Sequence, residues 1–283
     1  MILHNGKIVV EAYFNGHTSN SPWYWASVGK TLTTATVGIA QHEGLLDIDN
    51  KVSQYIGEGW TSAPLEKENL INCKNLLTMT SGLDDSLGED VSAQNLEYAA
   101  DAGERWEYHN VHKKLQDVVA EVSNQTWTTY FNSQLKNKIG MSGAWIASNN
   151  FNVYWSTTRS MARFGLLTSA NGIWETNQII PETYLTEAIN TSQNLNEAYG
   201  YMWWLNGKSS YRLQQSQHLF TGFLIPNAPV DMYAALGKDD QKIYIVPSKD
   251  LVIIRMGNAA DNANFALSNF DEELWSHINL LIN

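Results

Sequence analysis

Cysteine is almost absent. Cys73 is the single one in 283 residues, so no intramolecular disulfide can form, and neither a CxxC pair nor a His-rich tract offers ligands for a structural zinc. The fold must therefore rest on its apolar core. Basic residues are scarce too: Lys plus Arg number 18 against 29 Asp plus Glu, a formal net charge of −11, which leaves no positive stripe to displace counterions from a phosphate backbone. This argues against a nucleic-acid partner. No apolar run reaches the roughly 18 residues that span a bilayer, and Met1-Ile2-Leu3-His4-Asn5-Gly6 is not a basic-then-apolar secretory leader. A soluble chain with no membrane span is expected. What is abundant is apolar and aromatic: 43% hydrophobic, 11% aromatic and 17% charged residues describe a globular protein of one large or two interleaved domains.

Residues 7–14, Lys-Ile-Val-Val-Glu-Ala-Tyr-Phe, follow the turn pair Asn5-Gly6 and read as a hairpin arm. The apolar runs 233–236, 242–246 and 251–256 are separated by short polar turns, which suits an antiparallel meander. Phe265, Leu267, Phe270, Leu274, Ile278 and Leu281 recur near a 3.6-residue period, so a closing helix over 264–282 should pack on that sheet. Between the ends the strand signal fades. Leu32, Ala35, Thr36, Ile39 and Ala40 share one face of a helix over 27–43 that stops at Gly44. Further helices are expected over 113–122, 127–136, 158–167 and 181–189. The expected architecture is α+β: a sheet domain from residues 1–60 and 201–283, with a mainly helical domain over 61–200. No internal repeat points to a solenoid or propeller.

Ser27-Val28-Gly29-Lys30 sets a hydroxyl and an amine three residues apart at the start of the first helix, where positions i and i+3 share a face. A neutral amine there can take the serine proton, and the positive helix start discourages protonation of that amine. The pattern alone is common by chance, and Ser27 can equally be a helix cap. Trp23-Tyr24-Trp25 leads into it, and such aromatics can wall a pocket or simply fill the core. Tyr108-His109-Asn110 offers a phenol for proton relay and an amide that orients its neighbours. In the meander, the turn Gly237-Lys238-Asp239-Asp240 could supply a backbone N–H that completes an oxyanion hole with the N–H of Ser27.

Together and in this order, the three elements resemble the serine hydrolases related to class C β-lactamases and penicillin-binding proteins, including family VIII carboxylesterases and the 6-aminohexanoate-dimer hydrolase. Residues 76–83, Leu-Leu-Thr-Met-Thr-Ser-Gly-Leu, are similar to that family's Leu-Leu-x-His-Thr-Ser-Gly-Leu, and residues 156–167 to its Ser-Thr-Ala-x-Asp-Met-Ala-Arg-Phe-Gly stretch. Residues 199–204 and the pair Ile245-Val246-Pro247 and Leu251-Val252 also fit, so the likeness covers nearly the whole chain. It implies a β-lactamase/transpeptidase-like fold, with Ser27 as nucleophile, Lys30 as its base, Tyr108 as second proton-transfer group and Asn110 as orienter. The N–H groups of Ser27 and Lys238 would form the oxyanion hole, and Trp25, Trp155 and Gly237 would contact substrate.

Three departures bear on substrate. Ala235-Leu236-Gly237 stands where the family has Lys-Thr-Gly, which argues against efficient β-lactam turnover, although Lys238 could meet a carboxylate from a displaced position. Asp239 and Asp240 would oppose oxyanion charge unless they point away. Tyr108-His109-Asn110 replaces the commoner Tyr-Ser-Asn but keeps both outer residues.

The expected activity is hydrolysis of a small ester or amide through an acyl-Ser27 intermediate, without cofactor or metal. The alternative is a non-catalytic or acylation-only scaffold that recognises cell-wall peptides or β-lactams. His109 and His112 read as a surface-facing pair, and Asp84, Asp85, Glu89 and Asp90 as a solvated loop lacking a calcium-hand pattern. Trp203-Trp204 are expected to serve both pocket and core. Oligomeric state stays open, as does the choice between the cytoplasm and a processed periplasmic or secreted form.

Overall fold

Asn5 and Gly6, at φ 49° and 71°, form the tight left-handed turn that joins β1 (Ile2–His4) to β2 (Lys7–Val10). The computed structural model describes residues 1–148, 151–260 and 267–282. After β2 come β3 (Trp23–Tyr24), the helices α1 (Gly29–His42) and α2 (Lys114–Ser123), strands β4 (Ala144–Ser148) and β5 (Phe151–Ser156), and helix α3 (Thr158–Ser169). The chain continues through β6 (Trp204–Leu205), β7 (Tyr233–Gly237), β8 (Gln241–Val246) and β9 (Leu251–Arg255) to α4 (Asn269–Ile282).

The main sheet is antiparallel and runs β2-β1-β9-β8-β7-β6. Ile2 lies opposite Ile253, so the first strand of the chain pairs with the last. In β8, all six residues are buried, and its pleat sends neighbours to opposite faces. Ile243 faces α3, where a β-carbon on Gly165 would lie 3.5 Å from the Ile243 side chain and 2.7 Å from that of Val252, so no larger residue fits. Tyr244 faces α4 and meets Trp275 edge-on at 5.6 Å. On this face Lys242, 0% exposed, reaches Asp271 at 2.8 Å, and Tyr244 donates to the same carboxylate at 2.6 Å. The inner strands are thus covered on both sides, and burying each of Ile243, Ile245, Ile253 and Ile254 contributes about 1.5–3 kcal/mol.

The meander, the hairpin arm, the pairing of the chain ends and the helices over 113–122, 158–167 and 181–189 stand close to their expected positions. Other expectations are corrected. β2 stops at Val10, opposite Ile2, and Phe14 is left 74% exposed. The segment 127–136 is α-helical only through Phe131 and continues as a π-helix over Asn132–Lys136. The wider turn keeps Phe131 and Leu135, four residues apart, both fully buried. Residues 61–200 hold more than helices. β3, β5 and β4 form a second antiparallel sheet, and Ile173–Trp174 pairs with Asn177–Gln178. In β5 the alternation is hidden from sequence because an aromatic stands on each face, Tyr154 buried and Trp155 exposed. α4 begins at Asn269 rather than 264, and Phe265 lies outside the described residues. Among the described residues no helix is long and apolar enough to cross a membrane.

Candidate active site

Ser27 sits in a single 3-10 turn, Ala26–Val28, immediately before α1. Ala26 has a φ of 48°, a left-handed conformation that costs a non-glycine residue energy and persists only because its surroundings hold it. Trp25 does the holding. Its backbone N–H donates to the Tyr154 carbonyl at 2.8 Å, its indole N–H donates to Ser156 Oγ at 2.7 Å, and its ring meets Tyr154 edge-on at 5.2 Å. Trp25, where a substrate contact was expected, is 0% exposed and borders neither of the spaces that Ser27 lines. Consecutive residues point to opposite sides of an extended segment, so the neighbour that faces the cavity is Tyr24.

Lys30 lies in the first turn of α1, and its Nζ is 3.0 Å from Ser27 Oγ and 3.0 Å from Asn110 Oδ1. Ser27 is not a side-chain cap, since neither its own turn nor α1 has one. Burial lowers the Lys30 pKa to about 8, with the Glu89 carboxylate acting in the opposite direction. The Tyr108 ring lies beside the same ammonium, 4.8 Å from Nζ to centroid. Burial pushes the Tyr108 phenol well above its ordinary value, while hydrogen bonding to Ser27 pulls it down. Tyr108 stacks on Trp204 at 5.8 Å and meets Tyr199 edge-on at 6.2 Å. Trp203 and Trp204 are core residues that line neither of the two spaces bordered by Ser27, and Trp204 supports Tyr108 by that stacking.

Gly237 ends β7 against the Ser27 turn. A β-carbon there would sit 3.0 Å from the Trp25 carbonyl oxygen and 3.2 Å from the Ser27 nitrogen, so glycine is what allows the strand to come this close. Lys238 follows and lines the cavity. Asp239 and Asp240 adopt φ 57° and 58° in the turn. Their carboxylates are engaged elsewhere. Asp239 accepts a hydrogen bond from the Tyr24 hydroxyl, and Asp240, 2% exposed, accepts from Ser268 Oγ at 2.6 Å and from the Ala260 N–H at 2.9 Å, with Lys242 Nζ at 3.3 Å.

Ser27, Lys30 and Asn110 open onto a cavity of about 530 Å3 walled by Tyr24, Trp145 and Trp155. A polar annex of about 130 Å3 shares Ser27, Glu89, Asn110 and Lys238, and adds Tyr108, Asp85 and His109. Trp155, one of the sequence-based candidates, is 38% exposed in the larger space. The histidines are not a surface pair. His109 is 5% exposed beside the Gly88 backbone, and burial lowers its pKa to about 4. His112 lines the large cavity, where burial lowers its pKa well below 6.5. Nor is the acidic loop merely solvated: Glu89 borders both spaces, and Asp85 lies 3.6 Å from Arg105. Sequence reasoning named Tyr24 only within the aromatic run that could wall a pocket, and missed Trp145 and Glu89 as lining residues. No spacing marks them, because the second sheet that positions Trp145 was itself not legible. Among the described residues no cluster of three or more His, Cys, Asp or Glu is placed to hold a metal ion.

The Beta-lactamase family model matches residues 1–274. The chain belongs to the β-lactamase family. Its fold is the β-lactamase/transpeptidase-like one. A putative β-lactamase from Bacteroides dorei DSM 17855 superposes with a TM-score of 0.73 at 15% identity, over 99% of this chain and 91% of that one. A putative 6-aminohexanoate-dimer hydrolase from Bacillus anthracis gives 0.75 at 19% identity, over 99% and 79%. EstCE1, a hydrolase with promiscuous acyltransferase activity, gives 0.67 at 13% identity, over 92% and 87%. At these identities the superpositions establish the fold alone. No curated protein sequence matches this β-lactamase-family chain.

Proposed function

We propose that the protein is a serine hydrolase that cleaves a small ester or amide through an acyl-Ser27 intermediate. The observation that carries this reading is the Lys30 amine held 3.0 Å from Ser27 Oγ in a buried site that lowers its pKa to about 8. At pH 7 about one such amine in ten is neutral and able to act as a base. In acylation, Lys30 takes the Ser27 proton as Oγ bonds to the substrate carbonyl carbon, and the carbonyl oxygen becomes an oxyanion facing the backbone N–H groups of Ser27 and Lys238. The Tyr108 phenol gives its proton to the leaving atom as that bond breaks. In deacylation the roles exchange: the Tyr108 phenolate takes a proton from water, the hydroxide attacks the acyl carbon, and Lys30 returns its proton to the departing Ser27 Oγ. The raised pKa of Tyr108 supports a phenol rather than a phenolate in the resting site.

The aromatic wall of Tyr24, Trp145 and Trp155 favours an acyl group with apolar surface. The engagement of Asp239 by Tyr24 and of Asp240 by Ser268 and Lys242 favours a working oxyanion site over the binding-only alternative. Turnover of short p-nitrophenyl esters tests the proposal. Ser27→Ala should lower kcat/KM by about 10³-fold or more, with Lys30→Ala comparably severe, and a loss under about tenfold at Ser27 would contradict covalent catalysis.

A further inference from the structure

We infer that Lys113 selects substrates whose acyl chain ends in a carboxylate, an assignment that rests on the hydrolase reading above. The charged side chains lining the large cavity are Lys30, Lys113, Lys238 and Glu89, three ammonium positions to one carboxylate in a chain of net charge −11. Glu89 also borders the annex, and its field acts on both Lys30 and Tyr108. Among the described residues Lys113 has no ion pair or hydrogen bond through its side chain, whereas the adjacent Lys114 has Asp117 at 3.9 Å. Lys113 lines the large cavity and not the annex, whereas Lys238 borders both, and Lys30 is already held by Ser27 and Asn110.

The division of the site tells which part of the substrate carries that anion. Tyr108, which gives its proton to the leaving atom, lines the annex and not the large cavity, so the leaving group occupies the annex. The acyl chain then enters the large cavity, its methylenes against Trp145 and Trp155 and its end toward Lys113.

Mono-p-nitrophenyl adipate and p-nitrophenyl hexanoate, equal in carbon count and differing in the terminal carboxylate, test the assignment in the full-length chain. The wild type should prefer adipate by about tenfold in kcat/KM, chiefly through KM, and the preference should shrink as salt is raised. Lys113→Gln should bring the ratio close to one, and Lys113→Arg should retain it. Ser27-dependent cleavage of hexanoate with no preference for adipate, or a preference that survives Lys113→Gln, would overturn the carboxylate assignment while leaving the hydrolase intact. Failure to cleave either ester in a Ser27-dependent way would overturn both.

Discussion

The Tyr108 ring stands 4.8 Å from the Lys30 ammonium, and both groups converge on Ser27, although 78 positions separate them in sequence. Two shifts of opposite direction result from the shared burial: the amine becomes easier to deprotonate and the phenol harder. This separation is what the proposed acylation needs, with Lys30 as base and Tyr108 as acid.

The pH dependence follows from that assignment. The working form of Lys30 is the neutral amine, so kcat/KM for a neutral ester should rise with pH and level off above a midpoint near the Lys30 pKa of about 8. Glu89 raises that pKa, so Glu89→Gln should move the midpoint to lower pH, by a small amount because the side chain is exposed. A rate independent of pH from 6 to 9, or a midpoint displaced upward in Glu89→Gln, would contradict the assignment.

Close approach at Gly237 should be equally readable. Gly237→Val places atoms where the Trp25 carbonyl and Ser27 nitrogen already leave only 3.0 and 3.2 Å to the first added carbon. The Ser27 turn must shift, and a displacement on the order of 1 Å at reacting groups can cost about 10²-fold in rate. Ester turnover should fall by about that factor while KM changes little. Full activity in Gly237→Val would show that the end of β7 does not set the position of Ser27.

Lys30 should also cost the fold stability. Its pKa is depressed on folding, so below about pH 8 both folded and unfolded chains carry the ammonium and the burial penalty is present in full. Between about 8 and 10.5 the folded chain releases its proton first, and stability gains with pH as the penalty is lost. Lys30→Met should therefore be inactive yet melt higher than the parent at pH 7, with the gap narrowing toward pH 10. A lower melting temperature for Lys30→Met at pH 7 would contradict this account of the burial.

Much of this was legible in the sequence, for a definite reason in each case. The helix that carries Lys30 shows an apolar face and a Gly44 stop, and Gly44 does adopt a φ of 72°. The meander shows in the strand runs between short polar turns. Ser27, Lys30 and Asn110 stand out by their order along the chain, and the structure brings the Lys30 amine to 3.0 Å from both Ser27 Oγ and Asn110 Oδ1. What was not legible depends on which way neighbouring side chains face. In Trp23-Tyr24-Trp25 composition cannot tell the buried anchor from the cavity wall, and the structure puts Tyr24 on the cavity where Trp25 was expected. The strand β5 carries an aromatic on each face, which hides its period of two and with it the sheet that positions Trp145. His109 and His112 read as surface residues because nothing local reveals that the first is buried beside Met79 and Gly88 and the second lines the large cavity.

The central claim is that Ser27 is the nucleophile and Lys30 makes it one. Intact-mass and peptide mass spectrometry after exposure to a fluorophosphonate probe tests it most directly. The expected result is one adduct, on Ser27, formed by the wild type and lost in Lys30→Met. An adduct on another residue, or labelling of Ser27 that persists unchanged without Lys30, would contradict it.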